Sequence, residues 1–120
     1  MKHTMRLDDD PFMKILAGEK TIELRLNDEK RSLINVGDEI VFVNRDDSSL
    51  TLTCLVKAIH KFKDFELLYK HLSLKKCGYA ADEIKSAHPN DMLKYYSKAD
   101  QHKYGVLGIE LTPLGNHEPK

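Results

Sequence analysis

Three ionisable side chains stand close together early in this sequence. Lys20, Glu23 and Arg25 follow Gly18 in the string Gly18-Glu19-Lys20-Thr21-Ile22-Glu23-Leu24-Arg25. A lysine offers a point charge to a phosphate or a base carbonyl, and an arginine offers a planar fork. A carboxylate beside them can orient the lysine or accept from an exocyclic amine. A lysine next to a carboxylate also has the makings of acid–base chemistry. That use needs a lysine pKa pulled towards neutrality, and a neighbouring glutamate opposes the shift by favouring the ammonium. The pair is better suited to gripping a ligand than to removing protons. An ordinary solvated strand face carries the same residue types, and a surface ion pair there contributes only about 0–1 kcal/mol.

Aromatic residues supply a second group. Tyr95 and Tyr96 precede Ser97 and Lys98, and Tyr104 is expected to open the last strand. Single-stranded RNA is recognised by stacking on such rings, although either tyrosine of the pair can equally pack into the core. Ser97 followed by Asp100 has the form of a capping box. Tyr69 and Tyr79 are assigned to structure.

Other chemistries lack their motifs. The glycines never fall into GxGxxG or GxxxxGK[ST], and neither HExxH nor GxSxG occurs. The six histidines and two cysteines show no metal-ligand spacing. No cofactor and no metal are expected. Lysines and arginines number 19 and so do aspartates and glutamates, so the chain is neutral. That argues against a broad electrostatic field for duplex DNA but leaves room for a local basic groove. The lysine-rich stretch 57–76 reads first as solvated surface. No apolar window is long enough for a membrane span, and the N-terminus lacks the apolar region of a signal peptide. A cytoplasmic protein is expected, and its two cysteines, Cys54 and Cys77, are expected to stay unbridged.

The elements that must position these residues follow from periodicity. Residues 3–7 suit a short strand. Asp10 before Pro11 suits a helix N-terminus, Phe12, Ile15 and Leu16 recur at helical spacing, and Gly18 suits the helix end. Residues 20–26 alternate, with Ile22, Leu24 and Leu26 on one face and Thr21, Glu23 and Arg25 on the other. A half-buried strand is expected. Lys20 has the wrong parity for the Glu23 and Arg25 face, and joins it only if the chain is still turning at Gly18. Further strands are expected over DEIVFVN, over the long run LTLTCLVKAIHKF, and at 105–112. Helices are expected after Asp64, over AADEIKSA, and over DMLKYYSK with Asn90 as its cap. About five strands without βαβ alternation predict an α+β protein built on a small mixed β-barrel, with short helices at its rim. One domain over residues 1–112 and a polar tail over 113–120 are expected.

The string Gly18-x-Lys20-x-x-Glu23-x-Arg25 resembles the GxKxxExR signature of ASCH domains, a branch of the PUA-like superfamily. The helix PFMKILAG before it, VGDEIVF after it and the closing strand from Tyr104 to Glu110 fall in that family's order. The resemblance implies a PUA-like barrel whose motif lines a cleft for RNA or a modified nucleoside or nucleotide. Ligand contacts are then expected at Lys20, Glu23, Arg25, Tyr95, Tyr96, Ser97 and Tyr104. The resemblance also implies an alternative, a hydrolase: an acetylcytidine amidohydrolase or a ribonuclease, with Lys20 and Glu23 as candidate catalytic residues. The deacetylating relative uses a lysine, a threonine and a glutamate. Lys20 matches the lysine, but Glu23 stands where the threonine should be, which favours binding over that reaction.

Overall fold

Strand alternation sets the framework. In the computed structural model, which describes residues 1–114, the chain runs β1 (Lys2–Leu7), α1 (Asp9–Leu16), β2 (Ile22–Leu26), β3 (Glu39–Asn44), β4 (Thr51–Phe62), α2 (Phe65–His71), α3 (Lys98–Tyr104) and β5 (Val106–Pro113). Short 3-10 helices lie at Arg31–Leu33, Ile84–Ser86 and Pro89–Lys94. The five strands form one sheet in the order β1-β3-β4-β5-β2. Among the described residues only β1 and β3 pair in parallel. The sheet curls into a half-barrel with helices at its rim, the expected α+β class. Its two free edges among the described residues are β1 and β2.

The long strand β4 makes the curl possible. Its first half pairs with β3 and its second with β5, and the register shifts between Val56 and Ala58. A bulge there bends the strand and increases its twist. The concave side buries alternate residues, among them Ile40, Phe42, Leu52, Cys54 and Ile109, closed over by Phe12 and Ile15 of α1. Each such side chain contributes roughly 1.5–3 kcal/mol on burial.

A second core lies behind β2 and β5. Ile22, Leu24, Leu26 and Val106 meet Phe65 and Leu68 of α2, together with Cys77 and Met92. Glu23 and Arg25 face the other way, in register with Ile109 and Leu107. β2 therefore has apolar packing on one face and buried charges on the other, and all five of its residues are buried. The half-buried strand expected from its alternation is not what forms. The segment 65–104 covers the face that would otherwise meet water.

Several boundaries also differ from expectation. α1 begins at Asp9 with Asp8 in the cap position, and Pro11 is its third residue. The Asp9 carboxylate is held by Asn44, and Asp10 pairs with Lys14. AADEIKSA forms turns and one 3-10 turn, because nearly all of it is exposed and it has no apolar face to bury. His88, with Pro89 behind it, caps the next 3-10 helix in place of Asn90. Ser97 caps α3, a helix that sequence periodicity did not indicate. Tyr104 closes that helix and does not open β5. Of the tail expected over 113–120, the first two residues are described. Pro113 ends β5 and the Leu114 N–H donates to Thr53 O. Residues 115–120 lie outside the described residues.

Asn44 joins three of these parts. It is fully buried. Its Nδ2 donates to Asp9 Oδ1 at 3.0 Å, and its Oδ1 accepts from the Asp46 and Asp47 amides at 2.8 and 3.2 Å. Asn44→Ala strands those amides and should cost about 1–3 kcal/mol. Urea unfolding should show a lower midpoint with an unchanged slope. An unchanged midpoint would mean that the hairpin and α1 hold without this link.

Candidate functional site

The approach of Lys20 is decided at the end of α1. Gly18 has φ +80°, and the Glu19 and Lys20 amides both donate to Lys14 O, at 2.9 and 3.1 Å. The chain is still wrapping the helix end, and β2 starts only at Ile22. Strand parity therefore does not bind Lys20. Its ammonium lies 3.2 Å from Glu23 Oε1 and donates to Cys77 O at 2.8 Å. The other oxygen of Glu23, Oε2, accepts from Arg25 Nε at 2.7 Å. Arg25 Nη2 donates to Arg6 O at 2.8 Å. Arg25 thus ties the free edge strand β2 to the free edge strand β1, across the open side of the barrel.

All three residues are buried, at 7%, 5% and 7% exposure for Lys20, Glu23 and Arg25. Burial alone would raise the Glu23 pKa, but the charges of Lys20 and Arg25 outweigh it and hold the carboxyl below its ordinary value. Burial likewise works against the Arg25 cation, and Glu23 together with Tyr96 more than restores it. Two cations on one carboxylate leave a surplus positive charge. Such a set is a poor source of stability, because desolvation of the ions can exceed their attraction.

A wall closes over Lys20. Gly78 has φ +108°, and a Cβ there would stand 3.1 Å from Lys20 Cδ. The Cys77 carbonyl takes Lys20, and the next carbonyl, of Gly78, takes Lys14 Nζ at 2.8 Å. Two lysines thereby pin one turn of the segment that follows α2. Burial raises the Cys77 thiol pKa to about 11, so it is no nucleophile near neutral pH.

These groups line a cavity of about 650 Å³. One side comes from the β1–α1 junction, including Arg6 and Lys14, and the other from residues 77–96. Charges around it nearly balance: Arg6, Lys14, Lys20, Arg25, Arg45 and Lys94 against Asp8, Asp10, Glu23, Glu83 and Asp91. The lysines of the 57–76 stretch do not line it.

The expected aromatic residues separate. Tyr95 lines the cavity, is 52% exposed, and carries Lys94 Nζ at 5.1 Å from its ring centroid. Tyr96 also lines it, but stacks on Phe65 at 6.0 Å as part of the second core. Ser97 and Tyr104 do not line the cavity. Ser97 accepts from the Asp100 amide as the cap of α3, and Tyr104 packs against the second core. Arg6, Lys14, Tyr69, Tyr79 and Asp91 are cavity residues that sequence reasoning missed. None of them carries a local signal. Arg6 and Lys14 look like ordinary exposed charges beside a helix, and the tyrosines were assigned to structure.

The sign of the Glu23 shift gives a test. Its folded-state pKa lies below the unfolded value of about 4.3. The stabilisation is complete above that pH and is lost as pH falls through the lower folded-state value. Glu23→Gln leaves two buried cations facing each other and should cost about 3–5 kcal/mol at neutral pH. Urea unfolding from pH 7 down to pH 3 should show the gap between parent and variant narrowing on the acid side. Parallel curves would show that Glu23 is not the ionised partner of Lys20 and Arg25.

Comparison with known proteins agrees with this architecture. The model of the ASCH domain family matches residues 5–115. Hypothetical protein PH0355 is similar in structure, with a TM-score of 0.76 and 30% identity over 95% of this chain and 100% of that one. Protein PF0455 from Pyrococcus furiosus has a TM-score of 0.69 and 31% identity, over 95% of this chain and 98% of that one. The ASCH protein from Zymomonas mobilis shares the fold at 14% identity and a TM-score of 0.64, over 93% of this chain and 69% of that one. Among curated proteins, none matches significantly. With its family match spanning nearly the whole described chain and its half-barrel of the PUA-like type, this protein belongs to the ASCH domain family.

Proposed function

We propose that this protein binds RNA, or a modified nucleoside or nucleotide, in the cleft floored by Lys20, Glu23 and Arg25. The observation that carries this reading is the burial of those three charges at the base of a 650 Å³ cavity with an exposed tyrosine at its rim. That volume falls in the range of small-ligand sites, about 300–1,000 Å³. Charges that do little for stability are explained if a ligand uses them. Lys20 then meets a phosphate or a base carbonyl. Arg25, with Nε and Nη2 committed to Glu23 and Arg6, presents its remaining edge. Glu23 orients both cations, and Tyr95 offers a ring for stacking. The near balance of charge favours a base or nucleoside part over a polyphosphate.

The hydrolase alternative has less support. Both Glu23 oxygens already hold cations, so this carboxylate is poorly placed to take a proton. Thr21, beside the position where the deacetylating relative has its threonine, does not line the cavity. Its backbone is engaged with Lys76 and Leu111.

Titration calorimetry with cytidine, uridine, acetylcytidine, their monophosphates and short single-stranded RNAs tests the proposal. Tyr95→Ala should weaken binding about 5- to 150-fold, the value of one stacked base, with little change in melting temperature. Lys20→Met should weaken it further. If both variants bind every probe as the parent does, the cleft is not the site. Turnover of acetylcytidine that stops on Lys20→Met would restore the hydrolase reading.

A further inference from the structure

Asp91 belongs to the cavity wall and is held by its neighbours. The Tyr79 hydroxyl donates to Asp91 Oδ2 at 2.7 Å. The Tyr69 hydroxyl lies 2.7 Å from that of Tyr79. A phenol has one proton, and Tyr79 gives its own to Asp91, so Tyr69 must be the donor of the second bond. The His88 N–H also donates to Oδ2, at 3.1 Å. Oδ2 is thus held from two sides, while Oδ1 makes no hydrogen bond among the described residues. The bond from Tyr79 keeps the Asp91 carboxyl below its ordinary pKa, so near neutral pH it only accepts.

Its surroundings point to a base. Asp91 and Lys94 are three apart in the 3-10 helix Pro89–Lys94, so they lie on one face. Lys94 covers one side of the Tyr95 ring. Tyr95 and Asp91 line the same cavity, so a ring stacked on Tyr95 lies in the space that Asp91 borders. An aspartate on the wall of such a cavity, with one oxygen unbound among the described residues, is matched by an exocyclic amine, as carboxylates match the amine of cytosine.

We propose that Asp91, positioned by Tyr79 and Tyr69, determines which base the cleft accepts, by taking a hydrogen bond at Oδ1 from an exocyclic amine. This deepens the binding function proposed above and rests on it. The ligand class is then a nucleoside or nucleotide with an amino-bearing base. A base with a carbonyl in that place sets two acceptors against each other with no proton between them. Tyr79 acts through Asp91 and is a positioning residue.

Cytidine and uridine monophosphates differ in this respect and serve as the probes. Calorimetry on the full chain should show cytidine monophosphate binding at least about tenfold more tightly, as expected for a hydrogen bond to a charged acceptor. Asp91→Asn, whose amide both donates and accepts, should bring the ratio of the two affinities close to one. Tyr79→Phe should lower the ratio part of the way, which a merely structural loss would not do, since that weakens both probes alike. Equal binding of the two nucleotides by the parent overturns the inference and leaves the binding function standing. So does an unchanged ratio in Asp91→Asn. If the parent binds neither nucleotide nor any RNA, both readings fall together.

Discussion

The half-barrel has two free edges, and one guanidinium spans them. Arg25 leaves β2, takes the Glu23 carboxylate with one nitrogen and reaches Arg6 O on β1 with another. An unpaired strand edge is a liability in most sheets. Here the edges are kept apart and bridged by a side chain, which leaves room between them for the cavity. Closing the barrel with a regular ladder would pair the edges and remove that space. The same contact holds Arg25 in place, so the group that spans the opening also lines the cavity.

Glu23 makes this arrangement tolerable. Two buried cations side by side would repel, and the carboxylate between them converts repulsion into a set with one surplus charge. The surplus suits a phosphate or a carbonyl. The second layer, residues 65–104, does two jobs. Its apolar residues bury the outer face of β2, and its polar backbone and tyrosines form the cleft wall. Cys77 shows how closely the two are coupled, since its side chain belongs to the second core while its carbonyl holds Lys20.

Much of the framework was legible before any coordinates. The alternation of β3 and of the first half of β4 survives in their burial patterns. Asp64 caps α2 as its position suggests, accepting from the Leu67 amide. The meeting of Lys20 with Glu23 depended on a turn at Gly18, which a glycine allows and which the structure contains. Legibility failed where a weak local preference was overruled by packing. AADEIKSA has helical composition but no apolar stripe. Residues 98–104 form a helix because Ser97 caps it and Gln101 is buried against α2, where its carbonyl accepts from the Phe65 amide. β2 alternates like a half-exposed strand but is enclosed by a layer that arrives some forty residues later.

By itself the sequence determined what is local: the strand periodicities, the turn at Gly18, and the family signature that places Lys20, Glu23 and Arg25 near one another. Those features depend on residues a few positions apart, and backbone geometry converts such spacing directly into proximity. Only the tertiary structure decided what the three charges meet. Lys20 finds its carbonyl 57 residues away and Arg25 finds its own 19 residues away. Backbone carbonyls carry no residue identity, so no motif could announce them. The Tyr69–Tyr79–Asp91 chain is equally silent in the sequence, because its members come from α2, the segment that follows it and the 3-10 helix Pro89–Lys94. It exists only because that layer must fold back to bury the outer face of β2.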